Sequence, residues 1–69
     1  MKPEAIARAQ ALLPATREEL AQRLGLKPGC GQRVAKHMLC EGYAREWGDK
    51  LTSRGTLTAV LHATEKVPS

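Results

Sequence analysis

Apolar residues in the first part of the chain recur at helical spacing. Ile6, Ala9 and Leu13 share one side while Arg8 and Gln10 lie off it, which predicts a helix from Pro3 to Leu13. Proline suits the first helical position, where an N–H would lack a partner, and Pro14 stops the helix by disfavouring helical geometry in the residue before it. A second short helix is predicted between Thr16 and Gly25. Thr16-Arg17-Glu18-Glu19 has the spacing of a capping box, in which the threonine hydroxyl accepts from the Glu19 N–H and the Glu19 carboxylate reaches back to Thr16. Leu20, Ala21 and Leu24 form the apolar stripe of this helix, and Gly25 supplies the left-handed conformation that ends it. Leu26-Lys27-Pro28-Gly29 reads as a turn.

A third helix is predicted over 30–41, stopping at Gly42. At 100° per residue, Gly31, Val34, Ala35 and Met38 cluster on one side, and Gln32, Arg33, Lys36, His37 and Cys40 on the other. The outward side contains no acid, since Glu41 falls on the flank. The start of this helix is weak, because Gly29 and Gly31 both disfavour helix. Beyond Gly42, Tyr43, Arg45 and Trp47 alternate with Ala44 and Glu46 as in a half-buried strand, and Gly48-Asp49 marks a tight hairpin. A three-residue loop over 48–50 pairs Trp47 with Leu51, whereas a two-residue loop sets Leu51 against Glu46. The first keeps the apolar residues together and is the preferred register. Thr52 or Ser53 can cap a last helix with the stripe Leu57, Val60 and Leu61, and 65–69 reads as a flexible tail. A short extra strand near Ala15 can pair with the hairpin. The predicted fold is α+β and mainly helical: one domain over 1–64, with a three-helix core, a short β-hairpin and a C-terminal helix.

Composition narrows the possibilities further. Sixty-nine residues allow one domain, and with one Trp, one Tyr and no Phe its core is aliphatic. A core of this size supplies only about 3–5 kcal/mol. The net charge of +4 is uneven: residues 27–54 contribute Lys27, Arg33, Lys36, Arg45, Lys50 and Arg54 against Glu41, Glu46 and Asp49. Such an excess serves nucleic acid, an anionic surface or solubility. No apolar run approaches the ~20 residues of a membrane span, and Glu4, Arg8 and Gln10 interrupt any secretory core, so a cytoplasmic protein without membrane contact is expected. Cys30 and Cys40 on one helix lie roughly 15 Å apart, beyond the ~7 Å of a disulfide. Cys40 reads as a hydrophobe at the buried edge and Cys30 as a partly exposed thiol. His37 and Cys40 share a helical face, but a structural zinc site needs four ligands, usually in close pairs, and no second pair is present. No metal or other cofactor is expected. No Ser/His/Asp or Cys/His constellation and no phosphate-cradling glycine loop stands out. A helical domain this small also leaves little room for a substrate pocket of ~300 Å³. The expectation is therefore a protein that is not an enzyme and takes no small-molecule substrate.

The order of elements, with Thr16-Arg17-Glu18-Glu19-Leu20-Ala21-Gln22-Arg23-Leu24-Gly25-Leu26, Gly42-Tyr43 and Leu51-Thr52-Ser53-Arg54-Gly55, resembles the winged helix-turn-helix transcription regulators of bacteria and phages across about residues 5–62. In that family a Leu-Ala pair and a Leu-Gly-Leu end the second helix, and a Leu-Thr-x-x-Gly stretch closes the wing. The usual Ser/Thr-aliphatic start of the recognition helix is replaced here by Cys30-Gly31. The resemblance implies double-stranded DNA as partner, with the third helix in the major groove and the wing (43–52) beside it. The residues agree with that chemistry: Arg33 can bind a guanine bidentately, Gln32 can bind an adenine, and Lys27 and Lys36 suit phosphates. Arg45 and Lys50 can reach the adjacent groove or backbone. His37 and Arg54 complete the candidate DNA-binding residues, and Thr16 and Arg17 are a weaker phosphate anchor, opposed by Glu18 and Glu19. Trp47 reads as packing at the wing base rather than as a stacking residue. A homodimer through the first and last helices would double the contact. The rival readings are a winged-helix protein–protein interaction module and RNA binding, the latter disfavoured because no paired surface aromatics are visible.

Overall fold

The computed structural model describes residues 2–68; Met1, at the start of the predicted domain, and Ser69, the last residue of the predicted tail, lie outside them. The described residues form α1 (Pro3–Ala11), α2 (Arg17–Leu24), α3 (Pro28–Glu41), β1 (Ala44–Leu51) and β2 (Leu57–Ala63). β1 and β2 pair antiparallel, giving a small α+β architecture of three helices and a hairpin.

Local signals determine the helix ends. In α2 the capping box is complete: the Glu19 N–H donates to Thr16 Oγ1 at 3.2 Å, and the Thr16 N–H donates to Glu19 Oε1 at 3.1 Å. Gly25 and Gly42 close α2 and α3 at φ +70° and +81°, a region that glycine enters without a Cβ penalty. Two helix bounds differ from expectation. α1 ends at Ala11 rather than Leu13, with Leu12 as its C-cap and Leu12 and Leu13 half-buried against the core. α3 begins at Pro28, two residues before Cys30, because proline again occupies the first turn while the Gly31 N–H finds the Lys27 carbonyl at 3.0 Å.

Gly31, which weakens helix propensity, is where α2 and α3 touch. A Cβ built there would lie 2.3 Å from Ala21 Cβ and 3.0 Å from Ala21 Cα. The glycine anchors the helix start by close approach, where a side chain would hold the helices apart. Below it Ala35 and Met38 join Ala9, Leu20, Ala44 and Leu61 in the buried core.

The second half of the chain corrects the sequence reading. Among the described residues there is no C-terminal helix; residues 57–63 form β2. β1 does not turn at Gly48-Asp49. It absorbs Gly48 as a bulge between Trp47 and Asp49, and the turn comes at 52–56. Trp47 therefore pairs with Val60, and Leu51 with Leu57. Thr52 caps the turn instead of a helix: its hydroxyl accepts from the N–H groups of Arg54 and Thr56 at 3.2 and 3.3 Å. Leu61, assigned above to a helical stripe, is fully buried at the root of the hairpin, where it also bridges Ala15. The expected extra strand thus exists as a single bridge. Residues 64–66, partly within the predicted tail, fold back: Gln10 Nε2 donates to the carbonyls of Tyr43 and Lys66 at 3.0 and 2.9 Å, and Lys66 Nζ donates to the Glu41 carbonyl at 2.6 Å. No helix among the described residues is long and apolar enough to cross a membrane.

Candidate nucleic-acid interface

The core side of α3 is Gly31, Ala35 and Met38, with Val34 half-buried. This fixes the opposite side outward, so Gln32, Arg33, Lys36 and Cys40 are exposed, while His37 sits half-buried at the flank. Both cysteines are exposed free thiols, so Cys40 is not the buried-edge residue expected from the sequence.

Three of the sequence-derived candidates come together. Gln32, Arg33 and Lys36 line one shallow depression on the outer side of α3, and Arg17 from the first turn of α2 joins them. Sequence reasoning gave Arg17 only a minor role beside Thr16. Thr16 itself is buried with its hydroxyl held by the Glu19 N–H, so it offers nothing to an external phosphate. Lys27 is exposed at the N-cap of α3 and does not line the depression. A second groove runs between α2 and the hairpin turn, and Arg17, Gln32 and Arg54 line it together. Arg54 thereby faces the N-terminal part of α3.

The other two candidates are placed differently. Lys50 Nζ donates to Glu19 Oε2 at 2.8 Å and is held against α2, still more than half exposed. Arg45 lies on the far side of the hairpin, in a groove with Leu39, Trp47 and Lys66. The acids of the first turn of α2 are directed to the hairpin, Glu18 accepting from Ser53 Oγ at 2.7 Å and Glu19 from Lys50, while the hairpin's own Glu46 pairs closely with Arg17. The Lys50 ammonium, followed by the Thr16 N–H, holds the Glu19 carboxyl below the ordinary glutamate range. Glu18 and Glu19 are thus partnered by hairpin groups and Glu46 by Arg17, and none of the three lines the depression on α3.

The register places Arg45 opposite His62 and Trp47 opposite Val60, so all four share one face of the hairpin. Trp47 does not pack at the hairpin root as expected. It stacks on His62, with ring centroids 3.7 Å apart and an interplanar angle of 3°. This pairing depends on the strand register and was not visible from residue spacing alone.

No protein family, no curated protein and no solved structure matches the chain.

Proposed function

We propose that this chain is a small winged helix-turn-helix DNA-binding protein acting as a transcriptional regulator, with α3 as recognition helix and the β1–β2 hairpin as wing. The observation that carries the reading is the exposed, acid-free depression of Gln32, Arg33, Lys36 and Arg17 on a helix whose other side is fixed in the core. A helix of about 10–12 Å diameter fits the major groove, whose base edges are distinguishable by hydrogen bonding. Arg33 and Gln32 are suited to bases and Lys27 and Lys36 to phosphates, while Arg17 is engaged with Glu46 and reaches phosphate by sharing or leaving that pair. Arg54 on the hairpin turn is the wing group closest to this arrangement, and Lys50 reaches phosphate only by leaving Glu19. The order helix, bridge at Ala15, helix, helix, strand agrees with the expected order as far as β1; beyond it β2 stands where a C-terminal helix was expected, so the wing is the longer hairpin of β1 and β2. The reading requires neither cofactor nor catalytic group. A dimer through the first and last helices loses its second element, because the last helix is a strand.

The exposed Leu51–Leu57 pair favours the rival reading as a protein-interaction module. Anisotropy of labelled duplexes over a salt series separates the two. DNA binding by this surface is expected to show a log–log slope of roughly −0.9 per phosphate neutralised. Arg33→Ala should cost about 1–3 kcal/mol on the preferred sequence and flatten the preference, whereas Lys50→Ala should weaken all sequences alike. Absence of duplex binding at low salt, or equal sequence-blind losses from both variants, removes the base-reading role of α3.

A further inference from the structure

We propose that the outer face of the hairpin is a stacking platform for an unpaired base of single-stranded DNA, built from Trp47 and His62. The inner face carries Ala44 and Leu61, both buried; the outer face carries Arg45, Trp47, Val60 and His62. Trp47 is 56% exposed although His62 covers one side of its ring at 3.7 Å. The other side of the indole is therefore open to water, parallel to a ring already in place. A third flat heteroaromatic ring completes that stack. Nucleobases in a duplex hide both faces, whereas unpaired bases offer theirs, and stacking on exposed aromatics is the usual way they are held.

Charge and position favour a nucleic-acid strand as occupant. Arg45 shares the outer face, and Arg45 and Lys66 line the groove beside Trp47 against the single acid Glu65. Glu46, between Arg45 and Trp47 in sequence, turns to the other face and pairs with Arg17. Leu39 borders both this groove and the depression holding Arg33 and Lys36, so the two surfaces are neighbours around the end of α3. A strand that leaves the α3 surface passes Leu39 and meets Arg45 and Trp47. In sharing its ligand with α3, the platform rests on the DNA reading above.

Trp47 is the only tryptophan in the chain, so its emission reports on this face alone. The full chain is titrated with labelled oligo(dT), with oligo(rU), and with a duplex whose ends are closed by non-nucleotide linkers. Emission and label anisotropy are followed together. Expected is saturable quenching by oligo(dT) in step with its anisotropy, and little quenching by the closed duplex. Trp47→Ala should weaken oligo(dT) binding about tenfold or more and leave the closed duplex unaffected, while Trp47→Phe, which keeps a ring, retains most of the affinity. Because Trp47 is largely exposed, both variants should keep the wild-type circular dichroism. Oligo(dT) that binds without quenching, oligo(rU) that binds more tightly than oligo(dT), or emission that shifts with protein concentration alone each overturns the proposal. Duplex binding that survives without oligo(dT) quenching removes the platform and spares α3. Quenching that survives without duplex binding removes the α3 reading and spares the platform.

Discussion

α3 and the outer half of the hairpin both rest on α2, but by opposite means. At the α2–α3 contact, Ala21 and Gly31 meet with no room for one more methyl, and Leu20, Ala35 and Met38 are fully buried beneath. At the α2–hairpin contact, exposed polar groups meet: Lys50 with Glu19, Ser53 with Glu18, and Arg17 with Glu46. Leu51 and Leu57, the apolar pair beside them, stay 63% and 68% exposed. Close apolar packing is indifferent to salt and steeply sensitive to volume. Exposed ion pairs are each worth roughly 0–1 kcal/mol and weaken with ionic strength. The molecule therefore holds its outward cationic helix rigidly and its hairpin turn adjustably. That division suits a binding surface in which one element must be placed and the other must conform.

The largest expected effect tests the rigid contact with two glycines of one helix. Gly31→Ala should cost about 1–3 kcal/mol, since the new methyl meets Ala21 backbone as well as side chain. For a domain of this size each kcal/mol corresponds to roughly 4–8 °C in Tm. Gly29→Ala, with nothing within 4 Å of the added carbon, should instead stabilise by up to about 1 kcal/mol through helix propensity. Thermal melts followed by circular dichroism measure both. If the two substitutions shift Tm in the same direction, α3 is not held by close approach at Gly31.

The same contrast explains what was legible in the sequence. Thr16, Glu19, Gly25 and Gly42 act within one or two turns of themselves, and their roles follow from residue type and spacing. The inward and outward sides of α3 follow from its period. Leu57, Val60 and Leu61 fit a helical stripe, yet Leu57, Ala59, Leu61 and Ala63 also fit a strand, and the β-branched Thr56, Thr58, Val60 and Thr64 favour it. What decides is pairing with β1 and Ala15, which lie far away in sequence. Gly48-Asp49 fails as a turn signal for a related reason: a bulge uses the same glycine freedom to let the strand continue. The Trp47–His62 stack and the Arg17 contribution to the α3 surface both depend on that non-local register or packing, so neither could be read from spacing.

A smaller effect is expected where the contact is polar. Raising ionic strength should speed amide exchange in the outer hairpin, at Lys50 and Thr58, by up to about fivefold per ion pair released. Exchange at Leu20 and Ala35 should follow only global stability. Parallel salt responses in both regions would mean that the hairpin is held by something other than its ion pairs.

The smallest effect concerns the ion pairs of one carboxylate. Glu19 serves three partners, accepting from the Thr16 N–H through Oε1 and from Lys50 through Oε2, which also lies 3.6 Å from the Arg23 guanidinium of the same helix. Glutamine can still complete a capping box, so Glu19→Gln keeps the first role and discharges the pairs with Lys50 and Arg23. The expected loss is below about 1 kcal/mol, larger in the hairpin, where Lys50 is released at 2.8 Å, than in α2, where the Arg23 contact is already long at 3.6 Å. The pH response follows from the depressed carboxyl. Its stabilising contribution is fully present above the ordinary glutamate range and is lost as pH falls from there through the lower value in the folded state. Acidification should therefore loosen the wild-type hairpin near Lys50 over that interval, and the Glu19→Gln protein should lack this component of the response. If the two proteins lose hairpin protection identically as pH falls, the Lys50–Glu19 contact contributes nothing to holding the hairpin.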